Sequence, residues 1–307
     1  MNNRVSVVIV THNRKNRLEL CIKSILNNSI KPYEVVIVDD SDYGKDCKDL
    51  ISFFKKNFSV TSKFIYKRIY PKRGVSYSRN KGVKNSSGEI IAFIDDDCDA
   101  DVDWIKNIKT SHRKHKISAA ITGMVFPKYP QNYWNRVLYK FHENSSQKAT
   151  KASFLFGANY SVKTYIFKDY KLYFNENMPF CSEDNYLTHV LNRERFSLIY
   201  DPSIKVWHDF RKRIFQVIKQ WLRYGVSDYY YWLYTPSYKS SDSEFFSKSR
   251  ILSITLKLPL LIYKRSKSII HDLKIRPNQK DLIPGLFLIY FFYYLGVYSG
   301  KVKKYYF

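Results

Sequence analysis

Cysteine is scarce in this chain, and what there is lies too far apart to cooperate. Cys21, Cys47, Cys98 and Cys181 are the four in 307 residues. They form no CxxC pair, which argues against a zinc ribbon or a disulfide framework and fits a reducing compartment. Acidic residues are also in deficit: 27 Asp+Glu against 52 Lys+Arg give a formal charge of +25. The deficit is sharpest over residues 205–307, with 19 Lys+Arg and 6 Asp+Glu. Such a surface favours phosphates, nucleic acid or an anionic lipid leaflet. The opening lacks the basic-then-apolar order of a secretory signal, because an apolar run at 5–10 gives way directly to Thr11-His12-Asn13-Arg14. A cytoplasmic protein is expected. No internal repeat or low-complexity linker stands out. What the chain does have is apolar content, at 45%, enough for a substantial core in one large domain with an appendage.

Up to about residue 120, short apolar runs alternate with amphipathic stretches. Residues 5–10, 35–38, 64–66 and 90–94 read as strands. Leu18, Cys21, Ile22, Ile25 and Leu26 fall at helical spacing, and 50–54 and 74–84 belong to two further helices. The alternation predicts an α/β fold, a mainly parallel sheet flanked by helices. In such sheets ligands bind beyond the carboxyl ends of the strands. Thr11-His12-Asn13, Asp39-Asp40-Ser41 and Asp95-Asp96-Asp97 should therefore share one rim. Looser alternation follows, with strands expected at 119–126 and 154–162 and a short helix at 182–192. Two regions are expected: 1–210, in halves of about 1–116 and 117–210, and a helical, basic and aromatic extension over 211–307.

Asp95, Asp96 and Asp97 directly follow a buried-strand pattern. Adjacent carboxylates repel and raise one another's pKa unless a cation neutralises them. Hard oxygen ligands select Mg²⁺, Mn²⁺ or Ca²⁺. A calcium loop over Asp95, Asp97 and Asp99 would need Gly and Glu where Ala100 and Lys106 stand. A phosphohydrolase using Asp95 as nucleophile would place this strand first rather than fourth. Exposed loop acids are the plain alternative. Other polar clusters are equally two-sided. Asp40 can accept the N3–H of a pyrimidine base or simply hold a turn. Arg79 and Asn80 sit on a helix opened by Gly74, where free N–H groups favour phosphate, or else on a solvated basic face with Lys81 and Lys84. Glu183 and Asp184 suit the first turn of any helix after Ser182. His208 is a possible metal ligand or a surface histidine.

Taken together and in order, these segments resemble the family 2 glycosyltransferases, which have the GT-A fold, a Rossmann-like mixed sheet. Residues 5–14 look like the family's opening strand and turn, 36–41 like its nucleoside-binding turn, and 74–82 like its Arg-Asn helix. Asp95-Asp96-Asp97 falls on its DXD motif, Gly157-Ala158-Asn159 on its Gly-x-Asn strand, and Glu183-Asp184 on its acidic pair. The resemblance covers roughly residues 4–208. It implies a metal-dependent inverting transferase acting on a nucleotide-sugar of UDP or dTDP type. Thr11, Asn13, Arg14, Asp40, Arg79, Asn80, Asp95 and Asp96 would bind the donor. Asp97, Asp95 and His208 would hold Mn or Mg, Asp97 being the preferred direct ligand. Asp184 would act as base, with Glu183 as fallback. Asn159 and the partial QxxRW match at Gln220, Arg223 and Tyr224 would contact acceptor or diphosphate. The implied acceptor is a glycan or a polyprenyl-linked lipid of cell-surface polysaccharide synthesis. A basic membrane- or nucleic-acid-binding protein without transferase activity is the rival from another class. The acidic rim speaks against nucleic acid as a partner.

Residues 282–300 carry no charge and just reach the length of a membrane span. Pro284, Gly285 and four tyrosines make an awkward one. The composition predicts a basic, aromatic surface lying on the inner leaflet. A single crossing and a buried helix are its alternatives. The run at 251–263, broken by Lys257 and Pro259, is too short to cross.

Overall fold

The computed structural model describes residues 3–58, 62–143, 148–249, 251–273 and 275–306. In chain order it begins β1 (Val5–Thr11), α1 (Lys15–Leu26), β2 (Glu34–Asp39), α2 (Lys48–Phe58), β3 (Lys63–Arg68), α3 (Val75–Lys84) and β4 (Ile90–Ile94). There follow β5 (Cys98–Ala100), α4 (Trp104–Lys114), β6 (Ser118–Pro127), α5 (Tyr133–Tyr139), β7 (Thr150–Lys151), β8 (Asn159–Lys163) and α6 (Tyr165–Lys168). The chain closes with α7 (Glu183–Arg193), β9 (Ser197–His208), α8 (Ile214–Tyr234), α9 (Ser241–Lys248), α10 (Ile251–Asp272) and α11 (Ile283–Tyr306).

The sheet order is β3-β2-β1-β4-β8-β6-β9-β5, with β7 beside β9. β1, β2, β3 and β4 pair in parallel. β1, β2 and β4 are buried and largely apolar, with many β-branched residues, as burial on both faces demands, whereas the edge strand β3 is mostly half-buried. β8 joins β4 antiparallel, β6 joins β8 antiparallel, and β5 joins β9 antiparallel, so the sheet is mixed as expected. After β1 the chain winds outward to β2 and β3, then returns to lay β4 on the other side of β1. That reversal opens a crevice between the carboxyl ends of β1 and β4. Close packing against β1 requires Gly82 in α3: a Cβ there would sit 2.4 Å from Val8 Cγ1.

The expected strand at 154–162 begins only at Asn159. The preceding backbone is bound by side-chain hydroxyls instead of a ladder: Leu155 N–H donates to Thr188 Oγ1 (3.1 Å) and Phe156 N–H to Thr122 Oγ1 (2.9 Å). Apolar composition alone could not reveal that competition.

Two compact units emerge. One comprises Met1–Phe126, Asn144–Glu176 and Glu183–Asp209; the other Pro127–Glu143, Asn177–Ser182 and Phe210–Phe307. The division is thus less contiguous than a cut at 210. Within the second unit, Asn135 Nδ2 donates to the carbonyls of Phe210 (3.4 Å) and Arg211 (3.3 Å), and Ser182 Oγ donates to Asp228 Oδ1 (2.7 Å). Those bonds tie two upstream segments to α8 and to the chain just before it.

Candidate active site

The carboxyl end of β4 delivers the three aspartates, and each meets a different environment. Asp96 is buried; its Oδ2 accepts from Thr11 Oγ1 at the end of β1 (2.7 Å), and its Oδ1 from Arg14 Nη1 (2.8 Å). The same Arg14 nitrogen reaches Asp97 Oδ2 (2.9 Å). Asp95 is half-buried and the most accessible of the three, its side chain 37% exposed, and it pairs with Arg79 Nη2 at 3.1 Å. Burial and the neighbouring Asp97 push Asp96 up to about 6. Burial likewise raises Asp95, against the pull of Arg79. Burial alone would lower the Arg14 guanidinium, but Asp96 and Asp97 hold it above its ordinary value. The cluster therefore has less positive charge around it than three carboxylates need.

His208 arrives through register. β5 runs antiparallel to β9, pairing Cys98 with His208 and Asp99 with Trp207, and His208 Nε2 lies 3.1 Å from Asp97 Oδ1. Donor atoms of Asp97, Cys98 and His208 lie within 4.8 Å of one another. Burial first, then the surrounding carboxylates, keeps the Cys98 thiol protonated, so carboxylate and imidazole are the available donors. That set suits Mn²⁺ or Mg²⁺.

A second carboxylate group faces the first across Arg79. The guanidinium is buried, donates to Glu183 Oε1 and to the Gly157 carbonyl (3.2 Å), and lies 5.8 Å from the ring centres of Tyr160 and Phe174. Glu183 is buried with Oε2 unpartnered, and burial pushes it to about 7. Asp184 is only half-buried. Its Oδ1 accepts from the Asn185 N–H (2.9 Å), while a Cβ at Gly157 would lie 2.7 Å from its Oδ2. Gly157 thus leaves the room Asp184 occupies. Burial raises the Asp184 pKa as well.

Other expected site residues turn out to be structural. Both oxygens of Asp40 are taken by backbone N–H groups, Arg73 at 2.9 Å and Gly74 at 2.8 Å, and the residue is buried. It holds the turn into α3, and each carboxylate oxygen keeps acceptor capacity beyond that one bond. Asn80 clamps the 174–176 segment: its amide donates to Phe174 O and Glu176 Oε1 (both 2.9 Å) and accepts from Phe174 N–H (3.0 Å). Asn159 is buried, donating to Met124 O and Ile204 O and accepting from Trp104 Nε1, all at 2.9 Å. It is a knot between β6, β9 and α4, not an acceptor contact. Asn159→Ala strands two carbonyls and an indole N–H. It is expected to cost about 3 kcal/mol in denaturant unfolding.

Asn13, at φ +58°, is exposed and braces the Asp42 turn, donating to Asp42 Oδ2 (2.6 Å) and accepting from Asp42 N–H (3.0 Å). In the second unit, Gln220 Nε2 donates to Tyr224 Oη (2.7 Å) and Arg223 lies 5.5 Å from the Phe180 ring centre. Sequence reasoning missed Tyr160, Phe174 and the clearance at Gly157. It also missed β5, which is only three residues long and has no apolar alternation to betray it. A cavity of about 470 Å³ near Lys84, Tyr173 and Arg193 shares Asn80, Phe174 and Glu176 with the residues above, but none of the aspartates.

The model of glycosyl transferase family 2 matches residues 6–171. A glucosyl-dolichyl phosphate glucuronosyltransferase of Haloferax volcanii is 29% identical over 40% of this chain and 39% of its own length. A GalNAc(5)-diNAcBac-PP-undecaprenol beta-1,3-glucosyltransferase of Campylobacter jejuni is 33% identical over 31% of this chain and 29% of its own. The chain thus spans well under half the length of these relatives. Among solved structures, the mannosyltransferase PcManGT of Pyrobaculum calidifontis with GDP-Man and Mn²⁺ aligns over 98% of this chain and 87% of its own. Its TM-score is 0.65 at 13% identity. GalNAc-T7 with UDP, GalNAc and Mn²⁺ aligns over 67% and 43%, with a TM-score of 0.54 at 16% identity. At such identities the likeness establishes the GT-A fold.

Proposed function

Because the chain belongs to glycosyl transferase family 2 and is a glycosyltransferase, we propose that it is a metal-dependent inverting one. It moves a sugar from a UDP-sugar to a glycan or polyprenyl-linked acceptor in cell-surface polysaccharide synthesis, at the inner face of the cell membrane. The observation that carries this reading is the pairing of two carboxylate groups across Arg79: Asp95–Asp97 with His208 on one side, half-buried Asp184 on the other. A single displacement needs both, one to hold the cation that meets the leaving diphosphate and one to take the acceptor's proton.

Asp97, Asp95 and His208 would hold Mn²⁺ or Mg²⁺. When bound, the ion supplies positive charge to the departing diphosphate oxygens. Arg14 keeps Asp96 and Asp97 oriented, and Arg79 fixes Asp95. Asp184 accepts the hydroxyl proton as the acceptor oxygen bonds to the anomeric carbon and the bond to diphosphate breaks. The lipid-linked acceptor is supported by the dolichyl and undecaprenol relatives. Asp40 accepts one backbone N–H at each oxygen, and the lone pairs that remain can take the N3–H of a uracil. UDP is favoured by the nucleoside-turn motif, and the two solved neighbours carry UDP and GDP-Man.

Calorimetric titration of UDP, dTDP, GDP and CMP, with and without Mn²⁺, tests the donor. UDP binding that requires Mn²⁺ and disappears in Asp97→Asn is expected. Preference for GDP would replace the base assignment, and no nucleotide binding at all would overturn the donor site.

A further inference from the structure

α10 is two-faced. Ile254, Leu258, Ile262 and Ser266, spaced four apart, are buried and form its inner row, while Arg265 is tied to Asp242 at 2.7 Å. On the outer side Leu256, Leu260 and Tyr263 follow one another at helical spacing and are 75%, 56% and 56% exposed. Lys267 continues that row, and Lys257 and Lys264 form the next; all three are exposed. The run expected at 251–263, with its interruptions at Lys257 and Pro259, is thus part of one helix of 22 residues.

α11 prolongs this face. Tyr263 stacks on Phe287, ring centres 6.5 Å apart, and Phe291 one turn further is exposed. α11 is the one helix among the described residues long and apolar enough to cross a membrane, yet only 44% of its most apolar window is buried. Its other side is committed to protein: Tyr294 Oη donates to Asp242 Oδ2 (2.8 Å), and buried Lys301 donates to the Phe246 carbonyl. A helix so anchored cannot be surrounded by lipid. An exposed apolar row flanked by cations can lie on it.

Resting on the lipid-linked acceptor reading, we propose that the outer face of α10, with Phe287 and Phe291 of α11, is a docking surface for an anionic phospholipid leaflet. Leu256, Leu260 and Tyr263 enter the interfacial layer, and Lys257, Lys264 and Lys267 meet the headgroup phosphates. Charge chooses this occupant over a second copy of the chain, since a two-fold contact would bring the lysine rows of both copies together.

The test is flotation of the full chain with vesicles of phosphatidylcholine alone or mixed with phosphatidylglycerol. Binding to the mixed vesicles is expected, weakened at least roughly tenfold in Leu256→Glu/Leu260→Glu and roughly a hundredfold in Lys257→Gln/Lys264→Gln/Lys267→Gln. UDP titration of the same samples shows that the variants are folded. It also separates the two readings, because a lost nucleotide site leaves the flotation result standing. Absence of flotation, equal flotation on neutral vesicles, indifference to both variants, or a dimer that the leucine variant dissolves would overturn the proposal.

Discussion

Asp184→Asn is expected to lower kcat by roughly 10²- to 10⁴-fold, the range a positioned general base contributes, while Mn²⁺-dependent nucleotide binding persists. Of the acidic pair at the start of α7, only Asp184 is accessible; Glu183 is buried against Arg79. Burial against Arg79 favours a positioning role for Glu183 over the fallback role of base. The base works ionised, and burial raises the Asp184 pKa. The rate should therefore climb with pH through an apparent pKa above the usual aspartate range, and this limb should vanish in Asp184→Asn. Single-turnover rates against pH in both proteins check it. An unchanged limb with a loss under roughly tenfold would place the base elsewhere.

Arg79→Met carries the second large effect, and it is felt in stability as well as activity. The guanidinium is buried between Glu183 and Asp95, and removing one partner of a buried pair leaves an uncompensated charge, at a cost of about 3–5 kcal/mol. Glu183 already sits near 7 because of its burial, with Arg79 opposing the rise. Its folded-state pKa lies above its ordinary 4.5, so the folded form holds the proton more tightly and stability falls as pH rises between those values. Without Arg79 that trend should steepen, making the deficit larger at neutral pH than near pH 5. Urea unfolding across pH measures this, and Arg79→Met/Glu183→Gln should recover much of the stability without recovering donor binding. A variant as stable as the parent at neutral pH would mean that the pair is not buried in solution.

The two effects differ in kind because Asp184 is partly open to water whereas Glu183 is sealed from it, one residue apart on the same helix turn. Nothing in the dipeptide distinguishes them. Gly157 and Arg79, distant in the chain, make the difference by leaving space for one carboxylate and neutralising the other.

Much was nevertheless legible in one dimension. The apolar runs that became β1, β2 and β4 are long enough, and β-branched enough, to be buried strands whatever surrounds them. The acids that follow them must then meet at one rim, because parallel strands end together. Local chemistry of this kind survives without tertiary information. Roles that depend on partners do not. Asn80 and Asn159 carry the right groups for ligand contact, yet each found backbone partners from segments 35 to 94 residues away, and a satisfied buried amide has little left to offer a substrate. His208 met Asp97 only because the three-residue β5 pairs with the end of β9, and the outer row of α10 became a surface only because its inner row found a core. Sequence by itself determined the sheet and the acidic rim, which follow from hydrophobic period and strand direction, and the family, which the order of its motifs carried. Tertiary structure alone decided which polar groups stay accessible, because burial and hydrogen-bond satisfaction are set by neighbours remote in the chain.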